Sequence, residues 1–289
     1  MKKSVRKAVI PVAGLGTRML PATKVVPKEL LPIVDTPALQ VVIEEVIQSG
    51  IQEIILVTGR GKGAIEDHFD HSYELEDTLE RRGKTDQLDS IKRISELVRT
   101  MSIRQKQPRG LGHAVLCAKE AVGDEPFAVL LPDDIIAADP TVTKQLIDNY
   151  EKYNAGAIAL MQVPPDEVER YGIVHTENWA PRLHRIRTLM EKPKPDKALS
   201  NLAIIGRYVL PPQIFDYLEA TNPGTDGEIQ LTDALQRLAR ERALVGYEFV
   251  GHRHDIGDKL GFLKANITYA LQRPDIGPEL RAYLKELVG

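Results

Sequence analysis

The chain has 289 residues, 43% apolar and 27% charged, enough to bury a full core, since a chain of this length hides about three quarters of its unfolded surface. Its 38 Lys and Arg against 41 Asp and Glu leave a formal net charge of −3, so no whole-molecule field gathers nucleic acid or anionic membrane, and any anion site must be local. The single cysteine, Cys117, excludes an internal disulfide framework or a cysteine-based zinc site. No uncharged apolar run approaches the ~18 residues of a membrane span, and the basic start (Lys2, Lys3, Arg6, Lys7) is followed by an apolar stretch that Pro11 and glycines break too early for a signal peptide. A cytoplasmic protein is expected.

Short apolar runs ending in Gly, Pro or Asp alternate with helix-period segments through the first half, the pattern of a parallel sheet with crossover helices. Residues 8–13 are the first predicted strand. Thr36-Pro37 then supplies an N-cap and an N1 proline to a helix on which Leu39, Val42, Ile43, Val46 and Ile47 share a face. Residues 53–58 (EIILVT) are the next buried strand, and Ile65 and Phe69 begin a short helix. In the charged stretch 72–104, Ile91, Ile94, Val98 and Met101 fall at helical spacing, which predicts an inserted helical hairpin. A helix over 112–122, a strand over 127–131 and a helix capped by Asp139-Pro140 follow. From residue 156 strands dominate, at 157–163, 171–174, 186–190, 202–210 and 245–250, with helices on Leu231, Ala234, Leu235 and Leu238 and on Leu260, Leu263, Ile267 and Leu271. A mixed sheet extended by a second lobe is expected, with a cleft where the halves meet.

Chemistry concentrates in the loop after the first strand. Gly14 and Gly16 let backbone N–H groups turn toward a phosphate chain because no Cβ blocks the approach, and Arg18, Lys24 and Lys28 add three charges within 15 residues. This predicts a polyphosphate site. It is not a dinucleotide fingerprint, since Met19 stands where the third glycine belongs. Gly59-Arg60-Gly61-Lys62-Gly63 is only part of a P-loop: Leu56 replaces its first glycine and Gly63 its magnesium-binding hydroxyl.

Asp133 and Asp134 end an apolar strand, the place where open α/β sheets bind ligands, and a carboxylate there suits Mg²⁺ shared with substrate phosphates. Asp133, the first off the strand, is the candidate. Asp255 could close the metal site from the other lobe, although by itself it reads as a helix N-cap. His252 and His254 lack the further spacing of a zinc site. Glu191-Lys192-Pro193 sets a carboxylate able to accept from sugar hydroxyls beside a lysine able to meet a phosphate.

These segments, GLGTRMLPATKVVPKELLPIVD (14–35), QPRGLGHAV (107–115), LLPDD (130–134), EKP (191–193), NLAIIGRYVL (201–210), GEIQLTDAL (227–235) and DIGDKLGF (255–262), span nearly the whole chain. In that order they resemble the bacterial UTP–glucose-1-phosphate uridylyltransferases of the sugar-nucleotidyltransferase superfamily, and the acidic insertion FDHSYELEDTLERRGK (69–84) looks like the uridylyl branch. The resemblance implies an α/β fold of nucleotide-diphospho-sugar transferase type: a Rossmann-like mixed, mainly parallel sheet flanked by helices, with a smaller sugar-binding lobe. It implies one domain over 1–289, in which 1–150 is the nucleotide-binding half and 151–289 the sugar-phosphate half with C-terminal helices. The reaction implied is Mg²⁺-dependent: UTP and glucose 1-phosphate give UDP-glucose and pyrophosphate. Ala13, Gly14, Gly16, Glu29, Gln107 and Gly112 would surround the nucleotide, Gln107 reading the uracil edge, and Arg18 and Lys28 would hold the triphosphate. Asp133 and Asp255 would hold metal. Gly172, Glu191, Lys192 and Gly206 would form the sugar-phosphate site, and a homo-oligomer, dimer or tetramer, is implied. Asp134 and Asp258 receive no role.

The nucleophile of such a reaction is an already ionised phosphate oxygen, so no general base is needed. The obstacle is repulsion between two anions, met by positioning and by charge from the metal, Arg18, Lys28 and Lys192. Two alternatives stand beside this: a thymidylyltransferase or other hexose-1-phosphate nucleotidyltransferase, and a catalytically silent nucleotide-sugar-binding regulator.

Overall fold

The computed structural model describes residues 3–289 apart from Val98, Thr225, Asp226 and Arg242. Its strands are β1 (Lys7–Pro11), β2 (Pro32–Ile33), β3 (Thr36–Pro37), β4 (Glu53–Thr58), β5 (Arg99–Arg104), β6 (Phe127–Leu130), β7 (Asp134–Ala137), β8 (Gly156–Gln162), β9 (Gly172–Ala180), β10 (Leu183–Glu191), β11 (Leu202–Leu210), β12 (Leu244–Glu248) and β13 (His252–Asp255). Its helices are α1 (Ala38–Gln48), α2 (Gly63–Phe69), α3 (Tyr73–Arg81), α4 (Thr85–Glu96), α5 (Gly110–Cys117), α6 (Lys119–Val122), α7 (Val142–Tyr153), α8 (Ile214–Glu219), α9 (Leu231–Glu241), α10 (Lys259–Gln272) and α11 (Gly277–Val288).

Nine strands form one sheet in the order β5-β4-β1-β6-β11-β8-β12-β10-β9. Alternation along the strands gives it two apolar faces. Ala8 and Ile10 of β1 and Ile54 and Leu56 of β4 face a core completed by Leu39, Val42 and Ile43 of α1 and Leu146 of α7. Val9, Ile55 and Val57 face the other core, with Val115 of α5, Phe215 of α8 and Leu235 of α9. Each Val, Leu, Ile or Phe among them, fully buried, contributes about 1.5–3 kcal/mol. β5, β4, β1 and β6 run parallel, as do β8 and β12, whereas β6–β11, β11–β8, β12–β10 and β10–β9 are antiparallel. The sheet is therefore evenly mixed rather than mainly parallel, because β11 inserts between β6 and β8 in the reverse direction. β11 also runs past the end of β6, where Ala203 meets Ile173 of β9. That contact brings the Gly172–Glu191 end of the β9–β10 ribbon over the carboxyl edge of β6.

Several local expectations change. Thr36-Pro37 is β3, paired with β2, and the Thr36 hydroxyl turns to Asp35 instead of capping α1. The helical insertion ends sooner than its stripe predicted: α3 and α4 form the hairpin, but Met101 lies on β5, an exposed edge strand in parallel register with β4, and Val98 falls outside the described residues. The helix expected over 112–122 is two, α5 and α6, meeting at Ala118. Thr141, not Asp139, caps α7, its hydroxyl accepting from the Lys144 N–H at 3.2 Å. On α10, Leu260, Leu263 and Ile267 point outward, while Ala265 and Ala270 face the core. Among the described residues no helix is long and apolar enough to cross a membrane.

One interior feature had no sequence signal. Arg207, on β11, is completely buried, and all five of its N–H donors are used. Nε bonds to the Glu45 carboxylate of α1, Nη1 to the carbonyls of Leu131 (3.1 Å) and Gly206 (3.0 Å), and Nη2 to Glu45 (2.8 Å) and the Asp134 carbonyl (2.7 Å). Glu45 also accepts from the Thr143 N–H (3.2 Å) and hydroxyl (2.7 Å). Removing one partner of such a pair strands a buried charge, at about 3–5 kcal/mol. Arg207→Met is expected to destabilise by that amount in urea unfolding, and adding Glu45→Leu to recover part of it; a loss below about 1 kcal/mol for the single change would contradict the role given to this pair.

Candidate active site

Loops after β1, β4, β5 and β6 gather at the carboxyl edge of the sheet. Beyond β1, Val12 continues the ladder, its N–H donating to Val57 at 2.9 Å, and the chain then turns at Gly16, whose φ is +67°. A Cβ at Gly16 would lie 3.2 Å from Lys28 Cβ and 3.3 Å from Thr23 Cβ, so glycine is needed for both conformation and space. The Thr23 hydroxyl ties this turn by donating to the Gly16 carbonyl at 2.7 Å. Three 3-10 turns follow, the last over Lys28–Leu30. There neighbouring side chains part: Lys28 Nζ reaches Asp133 Oδ2 (2.8 Å), whereas Glu29 Oε2 accepts from Lys62 Nζ (2.7 Å). A cavity of about 430 Å³ lies over this loop, lined by Ala13, Gly14, Gly16, Lys28, Glu29 and Asp133 and also by Gln105, Gly110 and Glu228.

Asp133 and Asp134 diverge immediately after β6. Asp134 is buried, accepting from the Gly206 N–H at 3.0 Å and from Arg253 Nε. Asp133 faces the cavity. Burial opposes its charge, but the Lys28 ammonium and, more weakly, Arg18 hold its carboxyl below the usual range, and Asp133 in turn raises Lys28. β13 pairs with β7, so that Asp255 lies opposite Asp134 and the Ile256 N–H donates to the Asp133 carbonyl at 2.9 Å. Asp255 Oδ1 accepts from the Gly257 N–H at 2.9 Å, and Oδ2 faces Arg170 and Arg253, each at 3.3 Å.

Whether this donor set fits a divalent ion can be judged at Gly257. A Cβ there would stand 3.0 Å from Asp255 Oδ1, 3.4 Å from Arg18 Nη1 and 3.5 Å from Asp133 Oδ2. Two carboxylates thus converge on space that glycine leaves open. No group of three His, Cys, Asp or Glu suited to a metal occurs among the described residues. One or two carboxylates completed by ligand oxygens is the donor set of Mg²⁺, and Asp133 with Asp255 fits it.

A second cavity, about 270 Å³, is lined by Arg18, Gly172, Glu191, Lys192, Gly206 and Asp255. It shares Leu111, Leu131, Asp133 and Glu228 with the first. Glu191 Oε2 accepts from the Thr232 hydroxyl at 2.6 Å. A Cβ at Gly172 would come within 3.4 Å of the same oxygen. Lys192 adopts φ +42°, fixed by its N–H bond to the Tyr171 carbonyl (3.0 Å), which projects its exposed ammonium past Glu191 Oε1 at 3.6 Å.

Most of the predicted site residues thus line one of two adjoining cavities, and three do not. Gln107 is exposed and lies outside both. Gln105 takes the inward place because its N–H extends the ladder to Thr58 (2.8 Å), after which the chain bends away. Gly112 is buried against the 229–230 segment, its N–H donating to Ile229 at 2.8 Å, and it is Gly110, at φ +87°, that lines the cavity. Lys24 is exposed and lines neither cavity. The N-cap of α10 is Asp258, which accepts from the Gly261 N–H at 2.8 Å, so Asp255 is free of that duty. His252 and His254 pack edge to face, ring centroids 4.7 Å apart. Arg253, Tyr171 and Thr232 were not foreseen; Arg253 sits between His252 and His254, but its value comes from burial against Asp134 and over the Tyr171 ring (5.2 Å).

Comparison with known proteins agrees with this geometry. Residues 7–272 match the nucleotidyl transferase family. A UTP–glucose-1-phosphate uridylyltransferase of Bacillus subtilis is 51% identical over 286 residues, 99% of this chain and 98% of the relative. A UTP-bound UGPase from Acinetobacter baumannii superposes with a TM-score of 0.91 at 43% identity, over 98% of this chain and 99% of the other. A UDP-glucose pyrophosphorylase complexed with UDP-glucose gives 0.86 at 42% identity, over 93% and 100%.

The Asp258 carboxyl is held below the ordinary range first by the Gly261 N–H and, against burial, by Arg170. Its contribution is therefore present above the unfolded carboxylate value of about 4 and lost as pH falls through the lower folded value. Asp258→Ala should cost about 1 kcal/mol in urea unfolding at neutral pH, with the gap to wild type closing in acid below about pH 4. A gap independent of pH would speak against the cap.

Proposed function

The chain belongs to the nucleotidyl transferase family, and from that membership we propose that it joins UTP and α-D-glucose 1-phosphate into UDP-glucose, releasing pyrophosphate. The observation that carries the reading is the meeting of two cavities at Asp133 and Glu228, with Lys28 on one side and Arg18, Glu191 and Lys192 on the other. The relatives and solved structures at 42–51% identity support the same substrates.

In this reading the first cavity holds UTP. Backbone groups at Ala13, Gly14 and Gly16 approach it, Glu29, Gln105 and Gly110 face its nucleoside, and Lys28, with Arg18 reaching across from the second cavity, meets its phosphates. Gln105 and Gly110 take over what was expected of Gln107 and Gly112. In the second cavity Glu191, steadied by Thr232, accepts from sugar hydroxyls, Lys192 meets the sugar phosphate, and Gly172 and Gly206 leave room for the ring. A phosphate oxygen of glucose 1-phosphate attacks the α-phosphorus of UTP in line. A new P–O bond forms, the α–β bridge breaks, and the electron pair leaves with pyrophosphate.

No proton has to move, so the side chains act by placement and charge. Lys28 already lies beside Asp133, on the UTP side of the junction, while Lys192, held at a left-handed backbone position, leads the second anion inward. Asp133 and Asp255 would hold Mg²⁺, which would supply further positive charge to the phosphate oxygens. The remaining parts of the reading are organisational. The chain is one domain over 1–289, in which 1–150 carries the nucleotide site and 151–289 a smaller sugar-binding lobe with the C-terminal helices. It works in the cytoplasm as a homo-oligomer, dimer or tetramer, joined through the α3–α4 hairpin or the outward apolar face of α10.

Pyrophosphate release from UTP, glucose 1-phosphate and Mg²⁺, compared with dTTP and with other hexose 1-phosphates, tests the reaction. Absence of release with UTP would leave a nucleotide-sugar-binding regulator, and a preference for dTTP would move the chain to the thymidylyl branch. Asp133→Asn is expected to lose about a hundredfold or more in kcat at any substrate concentration; wild-type turnover at limiting Mg²⁺ would contradict its role. Lys192→Ala should raise KM for glucose 1-phosphate about tenfold or more, with little change for UTP. Unaltered kinetics for the sugar phosphate would remove Lys192 from the site.

A further inference from the structure

The glycine-rich segment Gly59-Arg60-Gly61-Lys62-Gly63 is not accounted for by the transfer chemistry, yet it is built with some care. Gly59 follows β4 directly and lies close against the first loop, where a Cβ would lie 3.2 Å from the Ala13 carbonyl oxygen. Gly61 then turns at φ +77°. The result is that Lys62, itself buried, points inward with its ammonium 2.7 Å from Glu29 Oε2. Glu29 is only 2% exposed and lines the nucleotide cavity, and its second oxygen, Oε1, is buried with no hydrogen-bond partner. A carboxylate oxygen left bare in that way is costly unless something completes it.

We propose that Lys62 is a positioning residue: it takes one oxygen of Glu29 and leaves Oε1 as a dedicated acceptor for a hydrogen-bond donor of the bound nucleoside, either a ribose hydroxyl or a base N–H. The inference rests on the nucleotidyl-transfer reading. The order of the strands gives the direction. Asp133 follows β6, and Lys62 and Gln105 follow β4 and β5, with β1 between. A nucleoside triphosphate whose phosphates lie at Lys28 and Asp133 therefore extends its nucleoside toward Glu29 and Lys62. Nothing anionic belongs at that end, because Oε1 can only accept. Lys62 does not serve as a phosphate-binding P-loop lysine; its charge is already spent on Glu29.

The test is calorimetric binding of UTP, 2′-deoxyUTP, 3′-deoxyUTP and CTP to wild type and variants, with pyrophosphate release measured alongside. Lys62→Met leaves a buried carboxylate uncompensated and can cost folding. The double change Glu29→Gln with Lys62→Met, which carries neither charge, is therefore measured beside it. In both, the Kd for UTP is expected to rise about ten- to hundredfold, as for loss of a hydrogen bond to a charged group, while KM for glucose 1-phosphate stays within about twofold. Wild type should also discriminate against the one analogue that lacks the accepted donor, a ribose hydroxyl for the deoxynucleotides or the N3–H for CTP, and that preference should fall to near parity in the variants. UTP affinity unchanged in the double variant, preferences over all three analogues retained, or equal KM increases for both substrates would each overturn the proposal. Wild type that binds UTP with the expected variant pattern but releases no pyrophosphate would support the contact and overturn the reaction. Wild type that binds no UTP would overturn both.

Discussion

A single buried arginine governs where the carboxylates after β6 stand. Taking the Arg207 guanidinium out of water is expensive unless every donor is met, and meeting all five draws together Glu45 of α1, the turn carrying Leu131 through Asp134, and the β11 backbone at Gly206. The turn after β6 can hardly shift without leaving part of that charge unpaired. Asp134 reinforces it by accepting from the Gly206 N–H and from Arg253. With its neighbour committed to structure in this way, Asp133 is left to face the cleft, and the pair divides into one carboxylate that holds the turn and one that lines both cavities.

The proposed reaction asks a protein with a net charge of −3 to bring two anions together, and positive charge is concentrated locally around the two cavities. Lys28 reaches the junction from the first loop, Arg18 from the turn before it, and Lys192 from the end of β10. Acidic groups beside them prevent an indiscriminate anion trap: Asp133 answers Lys28, and Asp255 answers Arg170 and Arg253. The same pairing of opposite charges recurs at Lys62 and Glu29, which neutralise one another and leave Glu29 Oε1 without a partner. In the proposed reading, cations stand where phosphate oxygens pass and a neutral pair stands where sugar and base are read.

Much of this could be read from residue order alone. Glycines after a buried strand, carboxylates at a strand end, and Glu191-Lys192 needed only elementary chemistry to be singled out, and they line the two adjoining cavities. Gln105 and Gln107 could not be told apart, because which one faces inward depends on where the β4–β5 ladder stops, and β5 itself was hidden in a stretch with helical spacing. Thr141 and Asp258 displaced Asp139 and Asp255 as caps for a similar reason: several capping side chains lie within a few residues, and tertiary packing selects the one whose helix start is real.

Local sequence thus determined most of the elements, the glycine-turned loop after β1 and the chemical types at the site, since these follow from backbone propensity, periodicity and the donor or acceptor character of each side chain. Only the tertiary structure decided that β11 runs in reverse beside β6, that Arg207 pairs with Glu45, and that Lys62 meets Glu29. Those are contacts between residues 162 and 33 positions apart in the chain. Their energy comes from burial that exists only once the layers have closed, and no pattern along the chain records it.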